Sequence, residues 1–272
     1  MPHIRTGDFD CWYVEDCFAE PWREPDAILI QPGFGRNGEY WRSWVPDLAR
    51  DHRVVRRDMR AHGGSSPGPP GHEWSVEGLA DDVVALLDAL GLERVHYVGE
   101  SVGGITGIVL GARHPGRFSS ITLVQTPVRL GRGLQDMMRD GYPTWSDALR
   151  DLGAGGWVTR NMPAGSPRTA WEREQWDRCD LDALTRLADA TLHVDVESYL
   201  PEVRVPTLVL APAESALTSL ADQFRIRTAI PDAQIEVFEG RGHNIYLEEP
   251  RRCTRRIRRF LQGLGDGGGP PS

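Results

Sequence analysis

From Ala27 onward, short segments rich in Val, Ile and Leu alternate with stretches of helical spacing. Such segments fall at 27–31, 53–57, 95–98, 120–125, 206–211 and 234–238. Runs this short and this apolar read as strands buried on both faces. Between them, residues 76–90 place Leu79, Val83, Leu86, Leu87 and Leu90 along one helical face. Strands alternating with helices predict an α/β fold: a mainly parallel sheet of about eight strands flanked by helices. Residues 4–18 differ. They alternate in polarity around a Gly7-Asp8 turn signal, which predicts an opening antiparallel hairpin. Near the other end, Cys253, Ile257, Phe260 and Leu261 recur at helical spacing beneath a row of arginines, predicting a helix with one apolar and one solvated face.

The alternation breaks between residues 128 and 202. There the pattern is helical, interrupted by Gly153-Ala-Gly-Gly156 and by Pro163-Ala-Gly-Ser-Pro167. The segment holds Trp145, Trp157, Trp171 and Trp176 with Met137, Met138 and Met162. The expected organisation is therefore a core in two parts, 1–127 and 203–264, around a helical insertion at 128–202. The Gly- and Pro-rich tail 265–272 is expected to be disordered.

Composition narrows the function classes. In 272 residues, 31 basic side chains against 39 acidic ones leave a net charge of −8, which argues against general nucleic-acid binding. No apolar run is long enough to span a bilayer, and the start lacks a secretory-type apolar segment, so no membrane association and a cytoplasmic location are expected. Cys11, Cys17, Cys179 and Cys253 are scattered without a Cys-x-x-Cys pair, as expected for buried free thiols. No metal-ligand spacing and no phosphate-binding glycine loop stands out, so neither a metal nor a cofactor is expected.

The densest chemical signal is Gly99-Glu100-Ser101-Val102-Gly103, which follows the strand at 95–98 and precedes a helical stretch at Gly104 to Ala112. A strand turning abruptly into a helix exposes the central serine on a strained elbow. The same five-letter pattern recurs at Gly64-Ser65-Ser66-Pro67-Gly68, but among prolines and glycines with no strand before it, and it reads as loop. Three further blocks accompany the elbow: Ala27-Ile28-Leu29-Ile30-Gln31-Pro32-Gly33-Phe34-Gly35, Arg57-Asp58-Met59-Arg60-Ala61-His62-Gly63-Gly64-Ser65-Ser66, and Val205 to Leu210 with Gly240-Arg241-Gly242-His243. Together they resemble the α/β-hydrolase superfamily over residues 25–262, in particular its serine esterases and lactonases.

That resemblance implies a nucleophile, an acid and a histidine in that order along the chain. Ser101 is the expected nucleophile. Of His114, His193 and His243, which follow it, His243 lies in a small-residue turn after a strand and is the expected base. The acid is less regular. Ala211-Pro212-Ala213-Glu214-Ser215 places serine where relatives carry aspartate, so Glu214 is the expected acid, with Asp222 as the alternative. A further position after the sixth strand reads Gln125-Thr126-Pro127 and holds no carboxylate. The backbone amides of Phe34 and Val102 are the expected oxyanion donors, with Pro32 standing for the usual histidine. The Arg60–Gly63 loop is expected to buttress the site, and Glu100 to be a local structural or pocket-edge residue.

The superfamily places a cap where the helical insertion falls. Trp145, Trp157, Trp176 and Met138 are the expected lining of a pocket for an apolar or aromatic substrate. The expected activity is a cofactor-free serine hydrolase of carboxylic esters or lactones. Carbon–carbon bond hydrolysis of a diketone-like substrate, or a non-hydrolytic receptor, lyase or cyclase, remain alternatives, and a homodimer is left open.

Overall fold

The computed structural model describes residues 2–129, 132–162 and 165–265. Apart from Gly265, which ends the last helix, the expectation for the 265–272 tail lies outside the described residues. Eight strands form one sheet: β1 His3–Thr6, β2 Phe9–Asp16, β3 Ala27–Gln31, β4 Arg53–Arg57, β5 Val95–Glu100, β6 Phe118–Val124, β7 Thr207–Pro212 and β8 Ala233–Phe238. Their spatial order is β1-β2-β4-β3-β5-β6-β7-β8. The opening hairpin β1–β2 pairs antiparallel and joins β4 antiparallel, while every pairing from β4 across to β8 is parallel.

Helices cover both faces. On one side, helices Val76–Ala89 and Val102–Arg113 set Val83, Leu86, Ile105 and Val109 against Leu29, Tyr97 and Leu123 of the sheet. On the other, the C-terminal helix Pro250–Gly265 presses Cys253, Ile257 and Phe260 onto Ile28, Ile30 and Leu208, together with Trp41 and Trp44. Burying a side chain such as Ile257 or Phe260 stabilises the fold by about 1.5–3 kcal/mol. The arginine-rich face of that helix stays outward, and several of its arginines pair with Glu236 and Asp51.

Between β6 and β7 the described residues form five α-helices: Arg132–Arg139, Trp145–Leu152, Ala154–Asn161, Pro167–Trp176 and Leu181–Thr191. Their inner faces join the core through a third apolar cluster. Phe34, just after β3, and Val102, just after β5, pack there with Trp145, Leu149, Val158, Trp176 and Leu187. The inserted helices thus roof the carboxyl ends of the central strands, where open parallel sheets bind their ligands. Of the four cysteines, all are free, but only Cys11 and Cys253 are buried and Cys17 is exposed. Among the described residues no helix is long and apolar enough to cross a membrane.

Candidate active site

The elbow is held by backbone packing. Ser101 sits at φ 51° and ψ −113°, a region that costs a residue with a side chain about 1–3 kcal/mol. Its amide donates to Val124 O at 3.1 Å and its carbonyl accepts from Ile105 N at 2.9 Å, so β6 and the new helix grip it from both sides. The turn closes because Gly103 has no side chain: a Cβ there would collide with the Gln31 carbonyl of β3. Gly33 is constrained likewise, since its Cβ would lie 2.7 Å from Glu100 Oε2 and 3.0 Å from Ser101 Cβ. Among the described residues the Ser101 hydroxyl has no hydrogen-bond partner, and neither do the Phe34 and Val102 amides. For Val102 the reason is general: the first amides of a helix have no intrahelical acceptor.

The turn carrying Phe34 is fixed from below. Gly33 N donates to Glu100 Oε2 at 2.9 Å, and Gly35 N donates to His62 Nε2 at 3.0 Å. That bond makes Nε2 an acceptor, so the proton of the neutral ring sits on Nδ1 and is donated to Arg60 O, 2.8 Å away. Burial pushes the His62 pKa down to about 4, which keeps this tautomer neutral. Arg60 in turn binds Asp82 through two nitrogens, at 2.6 and 2.9 Å, and Asp8 at 2.7 Å. The Arg60–Gly63 loop is therefore scaffolding for the turn. The second serine pattern lies in the same loop: Ser66 Oγ accepts from Asp10 N at 2.9 Å and no helix follows it.

His243 follows β8, and the side chain at its Nδ1 is Ser215, not the expected Glu214. Its Nδ1 lies 3.1 Å from Ser215 Oγ, whereas Glu214 is exposed to solvent. The chain bends after β7, with Ala213 N bonded to Phe238 O and Glu214 N to Arg241 O. Those bonds set the bend with Ser215 against the imidazole and leave the Glu214 side chain exposed, at the edge of the outer cavity. Asp222 is occupied elsewhere: it accepts from Ser219 Oγ at 2.7 Å in the cap of helix Leu220–Ala229 and pairs with Arg225. Of the other histidines, His114 ends the elbow helix beside Asp81, and His193 is exposed.

Ser215 Oγ is itself tightly engaged. It accepts from Leu217 N and Thr218 N, each at 3.1 Å, and from Thr218 Oγ1 at 3.1 Å. A neutral hydroxyl so held can orient the imidazole, but it supplies no charge to offset an imidazolium. Burial, and after it the Arg36 guanidinium, hold the His243 pKa well below the ordinary histidine value.

On the opposite side of the ring lies a carboxylate. Glu100, the last residue of β5, is fully buried, and its Oε1 is 3.9 Å from His243 Nε2. The same oxygen accepts from Arg36 Nη1 at 2.8 Å and Gln125 Nε2 at 2.9 Å. Arg36 also donates to Asn244 Oδ1 at 2.9 Å, tying the residue after His243 into the cluster. The sequence placed Glu100 beside the nucleophile but carried no local signal for Arg36 or Gln125. They come from the ends of other strands, and Gln125 adopts a left-handed φ of 43° to reach inward.

Two cavities meet at His243. A small one of about 30 Å³ is lined by Phe34, Ser101, Trp145, Met138, Leu217 and His243. An outer one of about 390 Å³ is lined by Trp157, Trp176, Arg36, Met138, Leu217 and His243. Met138, Leu217 and His243 are the wall between them. Trp157 stacks on Trp176 with ring centroids 5.2 Å apart, giving the outer cavity a flat indole side. A larger cavity of about 680 Å³ opens at the amino ends of the strands, lined by His52, Arg94, His96 and Arg258, far from the elbow.

A strained serine elbow, unoccupied amides on two turns and a histidine at the carboxyl edge of a mostly parallel sheet define an α/β hydrolase. The family model described as alpha/beta hydrolase fold matches residues 26–162, and the chain belongs to that family. The protein is similar to a putative carbamate hydrolase RutD of Caulobacter sp. (strain K31), 27% identical over 96% of this chain and 99% of that one. It is also similar to 3-oxoadipate enol-lactonase 1 of Acinetobacter baylyi, 26% identical over 88% of this chain and 89% of the relative. Among solved structures, a hydrolase from Pseudomonas aeruginosa PA01 superposes with a TM-score of 0.81 at 26% identity, covering 96% of this chain and 97% of that one. The chain is a hydrolase of this fold with a small-molecule substrate.

Proposed function

We propose that this hydrolase is a serine enzyme that cleaves carboxylic esters or lactones through an acyl-enzyme on Ser101. One observation supports the reading: a strained, unbonded Ser101 hydroxyl lines one cavity with His243 and with Phe34 and Val102, whose amides are free. A hydroxyl is a weak nucleophile until a neighbouring base takes its proton, and a neutral His243 can do so. The carbonyl oxygen of the substrate then becomes an oxyanion, for which the two amides are donors aimed where the charge develops. Collapse of the tetrahedral species expels the alkoxide with the proton held on His243. Water, deprotonated by the same ring, clears the acyl-enzyme.

Trp145 and Met138 would line the acyl side, and Trp157 and Trp176 the leaving-group side, favouring apolar or aromatic groups. The inner cavity holds about one water and no acyl chain, so substrate entry requires the Met138–Leu217 wall to give way. Carbamates form a second substrate class, because the Caulobacter relative bears that name and the same acyl chemistry serves a carbamoyl carbon.

The test is turnover of p-nitrophenyl acetate and butyrate, a lactone panel and an aryl carbamate, with fluorophosphonate labelling of native and Ser101→Ala protein. Label on the native chain and none on the variant supports the acyl-enzyme. Turnover by Ser101→Ala near the native rate sinks it. Selective cleavage of a diketone, or tight ligand binding with no turnover, would move the assignment to the alternatives.

A further inference from the structure

Every positively charged intermediate of the reaction proposed above places a proton on His243 in a buried site. The group on its Nδ1, Ser215, is neutral, and the one glutamate next to it in sequence is exposed and makes no hydrogen bond to the ring among the described residues. Resting on that functional reading, we infer that Glu100 is the positioning carboxylate of this enzyme, supplying from the Nε2 side the charge that the acid loop after β7 lacks.

The geometry that carries the inference has three parts. Glu100 Oε1 lies 3.9 Å from His243 Nε2 with no exposure to solvent, so the interaction is poorly screened. Its carboxylate is held by three donors from two segments: Gly33 N and Arg36 Nη1 in the turn after β3, and Gln125 Nε2 just after β6. It therefore cannot swing away when the ring moves. Finally, Arg36 lies on the same carboxylate and faces the same imidazole. While His243 is neutral, the Glu100 charge is taken up by Arg36. When the proton arrives, Glu100 is what prevents two cations from standing side by side without a counter-charge. Glu172 and Glu214 line the outer cavity with His243, but neither is hydrogen-bonded to the ring among the described residues.

This assigns Glu100 two tasks at once. Through Oε2 it anchors the turn that carries the Phe34 amide, and through Oε1 it stabilises the protonated base. Glu100→Gln removes the charge while its amide oxygen can still accept from Gly33 N; its NH2 then faces the donors Arg36 Nη1 and Gln125 Nε2, so the variant's melt is measured before the charge is judged.

The experiment is a double-mutant cycle over Glu100→Gln and Ser215→Asp, read by ester kcat and by NMR titration of the His243 ring, with His243→Gln to assign the signal. Glu100→Gln is expected to lower kcat by about a hundredfold or more, since loss of a triad carboxylate costs more still. It should also move the His243 titration to lower pH by about one unit or more. Ser215→Asp should then restore activity at least about tenfold more effectively in the Glu100→Gln background than in the native one. A purely structural Glu100 predicts an unmoved titration and the same factor in both backgrounds, and either result overturns the inference. Should Glu100→Gln fail to fold, Ser215→Asp alone decides. A rise in kcat below about tenfold supports a carboxylate already in service, and a larger one shows that none was. Failure of the ester reading looks different: no turnover or labelling by native protein, with the titration shift between native and Glu100→Gln still measurable.

Discussion

Ser101, on the elbow after β5, lines a cavity with His243, and Ser215, in the loop after β7, is bonded to its ring; the two serines are held in opposite ways. Ser101 pays for its position in backbone strain and keeps its hydroxyl unbonded. Ser215 sits in a relaxed loop, and its hydroxyl is surrounded by Leu217 N, Thr218 N and Thr218 Oγ1 as well as His243 Nδ1. The same side chain can thus be left unbonded or be locked against the imidazole, depending on how many donors the fold aims at it. A third serine, Ser66, shares the elbow's letter pattern and does neither, because its loop has no strand to strain it.

The sharpest way to separate these roles is Ser101→Ala, which should cut kcat by at least about ten-thousand-fold while melting within a few degrees of native. A small activity loss would make the two flanking serines equivalent and end the comparison.

Acid should weaken the fold through the histidines that hold the site. His62 titrates near pH 4 in the folded chain against about 6.5 when unfolded, and His243 is likewise lowered. Between those values the unfolded chain binds protons that the native one does not, so stability is full above about pH 6.5 and is lost as pH falls. For His62 the loss by pH 4 is about 3 kcal/mol. Denaturant midpoints measured from pH 7 to 4 check this, and His62→Gln should flatten part of the slope. A midpoint that rises on acidification would contradict the buried neutral ring.

Gly103→Ala attacks the strained side alone. The added methyl meets the Gln31 carbonyl, and overpacking of this kind costs about 1–3 kcal/mol, with a larger fall in activity because the elbow must open. Thermal melts and kcat measured together distinguish this from simple loss of a side chain.

On the relaxed side, Ser215→Ala removes one neutral hydrogen bond to His243, worth about 0.5–1.5 kcal/mol, and should lower kcat by about tenfold at most. The smallest effect belongs to Glu214→Gln, expected to stay within about twofold of native because its side chain is exposed. If Glu214→Gln proved the more damaging of these two, the orientation of the β7 loop would have to be reversed.

The sequence by itself determined the sheet, the elbow and their order, because those rest on local signals. Apolar runs marked all six parallel strands to within two residues at their ends, and a strand followed by glycine, serine and glycine marked the elbow. Ser215 was visible as a departure at the acid position, yet its meaning was not, since choosing between it and Glu214 depends on which way the loop after β7 faces. That facing is decided by hydrogen bonds to the chain around Phe238 and Arg241, on a different strand and the turn after it. Only the tertiary structure brought Arg36, Gln125 and Glu100 to one side of His243. They come from the end of β5, the turn after β3 and the residue after β6, and no spacing along the chain records that adjacent parallel strands bring their carboxyl ends together.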